Sequence, residues 1–258
     1  MDMRLLVAVL LAGMLAEMPA AQAERTPRRI DAAQWSLPSF RDAHPDLKHR
    51  LLAQQALDAG DHAIAIREFT RAADFGDKLS QAMLAELYLT GAGVALDLAR
   101  AYAWMDLAAE RGFAPFVGKR ESIWGQLDDA QQSEALQIGA ALYARHGDEV
   151  ALPRLEKRIR RELKRMGGSR TGFANAGSVV LPSAGGTRVR LMRHGRLSAL
   201  GGPQMDLAHY YAPEFWRPQQ YLRWQSEQLE LARRGQVIVG EVEAETPAEA
   251  DPARRPAQ

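Results

Sequence analysis

The chain of 258 residues contains no cysteine. This absence excludes a disulfide framework, a lipid-modified cysteine and a thiolate zinc site. Neither sign of charge is in excess, because the chain has 33 basic and 32 acidic residues. A net charge of +1 creates no overall field for a nucleic acid, so we expect no nucleic-acid partner. Packing must hold the fold together, and a hydrophobic content of 47% can supply a core.

Long apolar runs are also scarce, and the longest stands at the start of the chain. Arg4 precedes the apolar run Leu5–Ala16, and Ala21–Ala23 has the small residues of a cleavage site. An uncleaved anchor would need roughly 20 apolar residues, whereas Glu17 already interrupts this run. The pattern predicts a signal peptide over 1–23, cleaved near Ala23, and a periplasmic or secreted mature chain.

The sequence lacks the common signatures of catalysis and of metal binding. Gly91-x-Gly93 has no third glycine and no preceding strand, so it is not a dinucleotide-binding loop. No His-Glu-x-x-His and no Gly-x-Ser-x-Gly occurs, and the six histidines are scattered. We therefore predict no enzyme activity, no cofactor and no metal site.

Helical periodicity covers most of the chain after a lead-in over 24–45, which its prolines predict to be extended. Apolar spacing and helix-breaking residues predict seven helices, at about 46–59, 62–75, 79–90, 97–111, 115–126, 128–145 and 152–166. Together they form one solenoid over 46–166.

After Gly167 the composition changes to glycine, serine, arginine and valine. Alternating residues predict strands at 187–192 and 236–243, with a helix at 213–231 between them. The tail over 244–258 is predicted to be disordered. The expected architecture is thus an all-α solenoid with a small mixed α/β appendage over 167–243.

An internal repeat is the most specific signal in the sequence. Ala72-Ala73-x-x-Gly76 recurs 36 residues later as Ala108-Ala109-x-x-Gly112. At the same offset Asp61 maps on Asp97, Ala65 on Ala101, Phe69 on Met105, and Leu51 on Leu87. Alanines allow close helix packing, aspartate suits a helix N-cap, and glycine suits a left-handed C-cap.

The second copy resembles the Sel-one-like repeat, which is related to the tetratricopeptide repeat. The residues that carry the resemblance are Ala82, Tyr88, Gly91, Gly93, Val94, Asp97, Ala101, Trp104, Ala108, Ala109 and Gly112, and Gly76 ends the first copy. The resemblance covers about 65 residues, in repeats at about 46–78 and 79–114, with capping helices over 115–166. It implies an α-solenoid that binds proteins as an adaptor or scaffold.

Helical phase places the predicted contact groove on the first helix of each pair. The polar residues expected there are Lys48, Gln55, Gln81 and Glu86. The partner is expected to be another protein, whose identity the sequence does not reveal.

Two further segments support an alternative function in binding the cell envelope. The helix over 152–166 carries the basic residues Arg154, Lys157, Arg158, Arg161, Lys164 and Arg165, which could contact an anionic membrane surface. Phe215, Trp216 and Tyr221 could form the core of a small unit. Alternatively, the aromatic segment that contains Trp216, Tyr221 and Trp224 could bind an envelope glycan, with Trp216 and Trp224 exposed and stacked on its sugar rings.

Overall fold

A computed structural model describes residues 28–30, 32–167, 190–191, 196–198 and 204–233. The signal segment, the strand predicted at 236–243 and the tail over 244–258 lie outside the described residues. Within the described part, no helix is long and apolar enough to cross a membrane.

Nine helices occupy the first described part of the chain. They are α1 Ala32–Ser36, α2 Pro38–Ala43, α3 Pro45–Asp58, α4 His62–Ala73, α5 Lys78–Thr90, α6 Leu98–Ala108, α7 Ala114–Trp124, α8 Asp129–His146 and α9 Asp148–Gly167. A short 3-10 helix, Ala109–Arg111, extends α6. The seven helices that periodicity predicted correspond to α3–α9.

The C-terminal part contains three short strands and three helices. The strands β1 Arg190–Leu191, β2 Arg196–Ser198 and β3 Gln204–Asp206 pair antiparallel in the order β1-β2-β3. The helices are α10 Leu207–Tyr210, α11 Pro213–Trp216 and α12 Pro218–Arg233. The strand predicted at 187–192 is described only at β1, and the helix predicted at 213–231 is interrupted at Arg217.

The predicted helix caps are present in both repeats. Asp61 accepts a hydrogen bond from the backbone N–H of Ile64 at 3.0 Å, and Asp97 accepts one from Arg100 at 2.8 Å. Gly112 has a φ of 72°, the left-handed conformation that glycine adopts without a side-chain clash. These local contacts begin and end the second helix of each pair, so the offset of 36 residues is correct there.

The first helices of the two pairs follow a different offset. The connector between α3 and α4 is 59–61, whereas the connector between α5 and α6 is the longer stretch 91–97. Leu51 therefore lies further from the end of its helix than Leu87 does. The mapping of Leu51 on Leu87 is wrong, because the additional connector residues shift the register of the first helices.

Small side chains fill the centre of the repeat. Ala65, Ala72, Ala101 and Ala108 are fully buried, and larger residues such as Phe69 pack between the helices. Trp104 belongs to the same core, and Tyr88 packs against it while partly exposed. Helices α7 and α8 both pack on α6 and so extend the stack.

A second core joins the lead-in to α9 and to the C-terminal helices. Phe40 of α2 is buried with Leu155 and Ile159 of α9 and with Phe215 and Trp216 of α11. The lead-in predicted to be extended is therefore helical over Ala32–Ser36 and Pro38–Ala43. Pro38 and Pro45 stand in the first turns of α2 and α3, where proline is compatible with a helix.

The prediction of a separate mixed α/β appendage over 167–243 is not supported by the structure. The C-terminal helices do not form a separate unit, because their aromatic side chains pack into one cluster with α2, α3 and α9. The described strands are only two or three residues long. The described fold is therefore a helical repeat closed by helices from both ends of the chain.

The connector 91–97 supplies a test of the repeat geometry. A Cβ at Gly93 would lie 2.1 Å from the His62 Cβ, and φ at Gly93 is 76°. We expect Gly93→Ala to lower the free energy of unfolding by roughly 3 kcal/mol or more, since it adds a clash to backbone strain.

The matched control is Gly112→Ala, where φ is also positive but nothing lies within 4 Å of an added Cβ. Gly112→Ala should lower the free energy of unfolding by only about 1–2 kcal/mol. Urea unfolding measures both values, and equal losses would show that the loop does not contact His62.

Candidate partner-binding surface

Three of the four predicted groove residues reach the surface, and one does not. Lys48 is partly exposed and pairs with Asp42, with 3.1 Å between Nζ and Oδ1. Gln55 is exposed, and Glu86 is partly exposed. Gln81 is fully buried, where its amide donates to the carbonyl oxygen of His146 at 3.2 Å. Gln81 is therefore a structural link between α5 and the end of α8, and its prediction as a contact residue is wrong.

The exposed residues of α3 form a stripe along one side of the helix. Lys48, Leu52 and Gln55 follow one another at spacings of four and three residues, which places them on one face. Leu52 is 41% exposed although it is apolar. Sequence reasoning missed Leu52, although its spacing from Lys48 and Gln55 was a usable signal.

Partly exposed residues of α5 form a second stripe on that helix. Met83 and Glu86 lie on its outward side, and Glu86 pairs with Lys119 of α7 at 3.0 Å. Arg50 of α3 pairs with Asp77, which caps α5, at 2.8 Å. This pair connects the middle of α3 to the start of α5. We call Lys48, Leu52, Gln55, Met83 and Glu86 the α3–α5 face.

A buried cation connects the turns at one end of the repeat. The Lys78 ammonium is almost fully buried and donates to Glu110 at 2.6 Å, to the Leu107 carbonyl at 3.0 Å and to Gln81 at 3.1 Å. It also lies 3.1 Å from the Asp148 carboxylate. Since a buried charge is tolerated only with such partners, Lys78 fixes α5, α6 and α9 relative to one another.

Arg111 continues this network toward the C-terminal helix. Its guanidinium binds Asp148 in a bidentate manner, at 2.7 and 3.0 Å, and donates to the carbonyl of Gly76 at 3.0 Å. It also donates to the side-chain oxygen of Gln225 in α12 at 3.3 Å. The planar fork of arginine thus connects three turns and α12 at one point.

Asp46 anchors α12 to the start of α3. Its Oδ2 accepts hydrogen bonds from the Tyr221 hydroxyl and from the Gln225 amide, both at 2.6 Å. Burial, assisted by the negative charge of Asp77, raises the pKa of Asp46 to about 7, although Tyr221 and Arg50 act in the opposite direction. A pKa near 7 would suit a general acid, but α12 covers this carboxyl completely, so it is not placed to reach a substrate.

His44 lies within the aromatic cluster beside Asp46. Its ring centroid is 4.3 Å from that of Phe40 and 4.8 Å from that of Tyr221. The ring nitrogens lie 2.9 Å from the Phe40 carbonyl and 2.7 Å from the Phe215 carbonyl. These contacts favour the protonated ring, but burial outweighs them and lowers the pKa of His44 to about 4. The ring is therefore neutral near pH 7 and, with a single N–H, donates to only one of these two carbonyls.

The three aromatic residues proposed for glycan binding are buried. Trp216 is 4% exposed, Trp224 is 2% exposed, and Tyr221 is fully enclosed. The Trp216 indole donates to the Tyr210 carbonyl, and the Trp224 indole donates to the Arg28 carbonyl at 2.7 Å. The prediction that these rings stack on a glycan is wrong, because their packing in the second core leaves no ring face for a sugar.

The basic residues of α9 divide into two groups. Arg154 donates to the carbonyl of Asp74, and Arg158 donates to the carbonyl of Asp42 at 2.9 Å, so both close the ends of other helices. Lys157, Arg161, Lys164 and Arg165 are exposed. Among the described residues, no group of three or more His, Asp or Glu side chains is arranged to hold a metal ion.

Asp46 makes the stability of the chain depend on pH. The neutral carboxyl stabilises the folded state fully below pH about 3.8, and this contribution is lost as the pH rises through about 7. Asp46→Asn cannot ionise. We expect its free energy of unfolding to rise relative to the wild type by roughly 4 kcal/mol between pH about 4 and about 8. Urea unfolding across this range measures the difference, and parallel pH profiles would contradict it.

No protein-family model matches the chain, and no curated protein matches it. Among solved structures, it is similar to a protective antigen present in uropathogenic Escherichia coli strains, which displays an SLR fold. The two are 26% identical over 46% of this chain, with a TM-score of 0.34. The match spans only 26% of the antigen's length. The chain has a helical repeat fold, and its own caps and helix pairs carry that conclusion.

Proposed function

We propose that this protein is an exported Sel-one-like repeat protein that binds another protein through the α3–α5 face and performs no catalysis. The observation that carries the proposal is that the first helix of each successive repeat has an outward stripe of exposed and partly exposed residues. Repeat proteins use such stacked surfaces to bind extended partners. Export rests on the predicted signal peptide over 1–23.

The composition of the α3–α5 face suits a protein partner. Leu52 and Met83 supply apolar area, while Lys48, Gln55 and Glu86 surround them with polar groups. Protein interfaces combine an apolar centre with a polar rim in this way. The rigid attachment of α3 to α5 through Arg50 and Asp77 limits the ordering cost of binding.

The network around Lys78 and Arg111 supports a structural role for the opposite side of these helices. Its ion pairs and hydrogen bonds connect α5, α6, α9 and α12 inside the protein. A binding surface that must keep one shape benefits from such support, because its own residues then need not rearrange.

Substitutions on the surface test this proposal. Leu52→Glu with Gln55→Glu places two negative charges at the centre of the α3–α5 face. Because both positions are exposed, we expect these substitutions to change the free energy of unfolding by less than about 0.5 kcal/mol. We expect cross-linking of the mature chain to its envelope partner to fall by about tenfold or more, because truncating or charging an interface centre costs over about 1.4 kcal/mol.

The matched control is Leu136→Glu with Gln137→Glu, which makes the same chemical change on α8, where Leu136 is 60% exposed. This control should retain cross-linking at the wild-type level. Loss of the cross-linked partner from the α8 variant alone, or from neither variant, would remove the α3–α5 face as the binding surface.

A further inference from the structure

Helix α9 presents a basic surface on the side that faces away from the core. Leu155 and Ile159 are buried in the second core, and Lys157 lies midway between them in sequence. At about 100° per residue, Lys157 therefore points away from that core. Arg161 and Lys164 follow it at spacings of four and three residues and continue the same side.

The charge of this side is strongly positive over a short distance. From Lys157 to Arg165 there are six basic residues and one acidic residue, Glu162. Glu162 is itself buried and pairs with Arg165 at 3.0 Å. Arg160 pairs with Glu156. Lys157 and Lys164 make no ion pair with any described residue. We call Lys157, Arg160, Arg161, Lys164 and Arg165 the α9 basic face.

The basic face cannot be explained by the fold alone. Arg154 and Arg158, which flank it, hydrogen-bond to carbonyl oxygens at the ends of α4 and α2, and so they have a structural role. The residues of the basic face make no such contact with another helix among the described residues. Glu156 and Glu162 pair with Arg160, Arg161 and Arg165, whereas Lys157 and Lys164 have no acidic partner among the described residues. These two exposed charges are available to an anionic partner.

We propose that the α9 basic face binds the anionic phospholipid headgroups of a membrane surface, with α9 lying along that surface. The apolar residues of the helix are already used in the core, so contact is with headgroups and involves no insertion. This surface is distinct from the α3–α5 face, so either binding proposal can be wrong while the other is correct.

The shape of the face favours lipid over an acidic protein. A helix side that carries only long flexible cations offers no buried aromatic or apolar anchor, which protein interfaces usually need. Headgroups can move laterally to meet such cations, and each basic residue near an anionic membrane adds to the affinity. The attraction should weaken as salt concentration rises, because exposed charges are screened.

The experiment compares binding of residues 24–258 to sedimented vesicles of phosphatidylcholine, with or without phosphatidylglycerol. The test variant is Lys157→Gln/Arg161→Gln/Lys164→Gln. The control variant is Arg29→Gln/Arg217→Gln/Arg223→Gln, which removes the same number of exposed positive charges at positions outside α9. Circular dichroism melts check that both variants fold.

We expect the wild type and the control variant to bind vesicles that contain phosphatidylglycerol, and the test variant to bind at least about tenfold more weakly. Equal loss in both variants would show only an effect of net charge and would overturn the proposal. Absence of wild-type binding would also overturn it. Binding to polyglutamate without binding to vesicles would assign the face to an acidic protein instead.

Discussion

The close approach of the repeat helices depends on side chains of one carbon at their contact. Ala65 and Ala72 on α4, and Ala101 and Ala108 on α6, are fully buried. Small residues permit interaxial distances near the lower end of the range of about 8–10 Å. A larger residue would move α4 or α6 outward, and the helices α3 and α5 paired with them would move too. The spacing of the α3–α5 face is therefore set by residues that no partner can touch.

The parts of the fold that could be predicted from the sequence depend on local interactions. Asp61 and Asp97 cap helices through backbone groups three residues away, and Gly112 ends one through its own dihedral angle. Such signals are complete within a few residues, so a single sequence contains them. Helix positions and the repeat of the second helices follow from them.

The parts that could not be predicted depend on contacts between distant segments. Gln81 has the polarity of a surface residue, and its burial follows from a carbonyl of His146 that lies 65 residues away. Similarly, Phe40 and Trp216 each have several possible environments until α2 and α11 are known to meet. The local pattern of a polar or aromatic side chain does not indicate which remote groups will satisfy it. Three of the five residues of the α3–α5 face were thus predicted, while Leu52 and Met83 were missed and the buried Gln81 was wrongly included.

The second core also imposes an order on folding. The hydroxyl of Tyr221 meets Asp46 across 175 residues, and Ser39 meets Tyr210 across 171, whereas the helix pairs close over short connectors. Contacts of low sequence separation form first, because less chain entropy is lost in closing the loop. The alanine-packed repeat should therefore assemble while Phe40 and Ile159 still lack their cover. A chain whose synthesis stops before Pro213 keeps these side chains in contact with water, as a nearly folded species that chaperones and proteases can recognise.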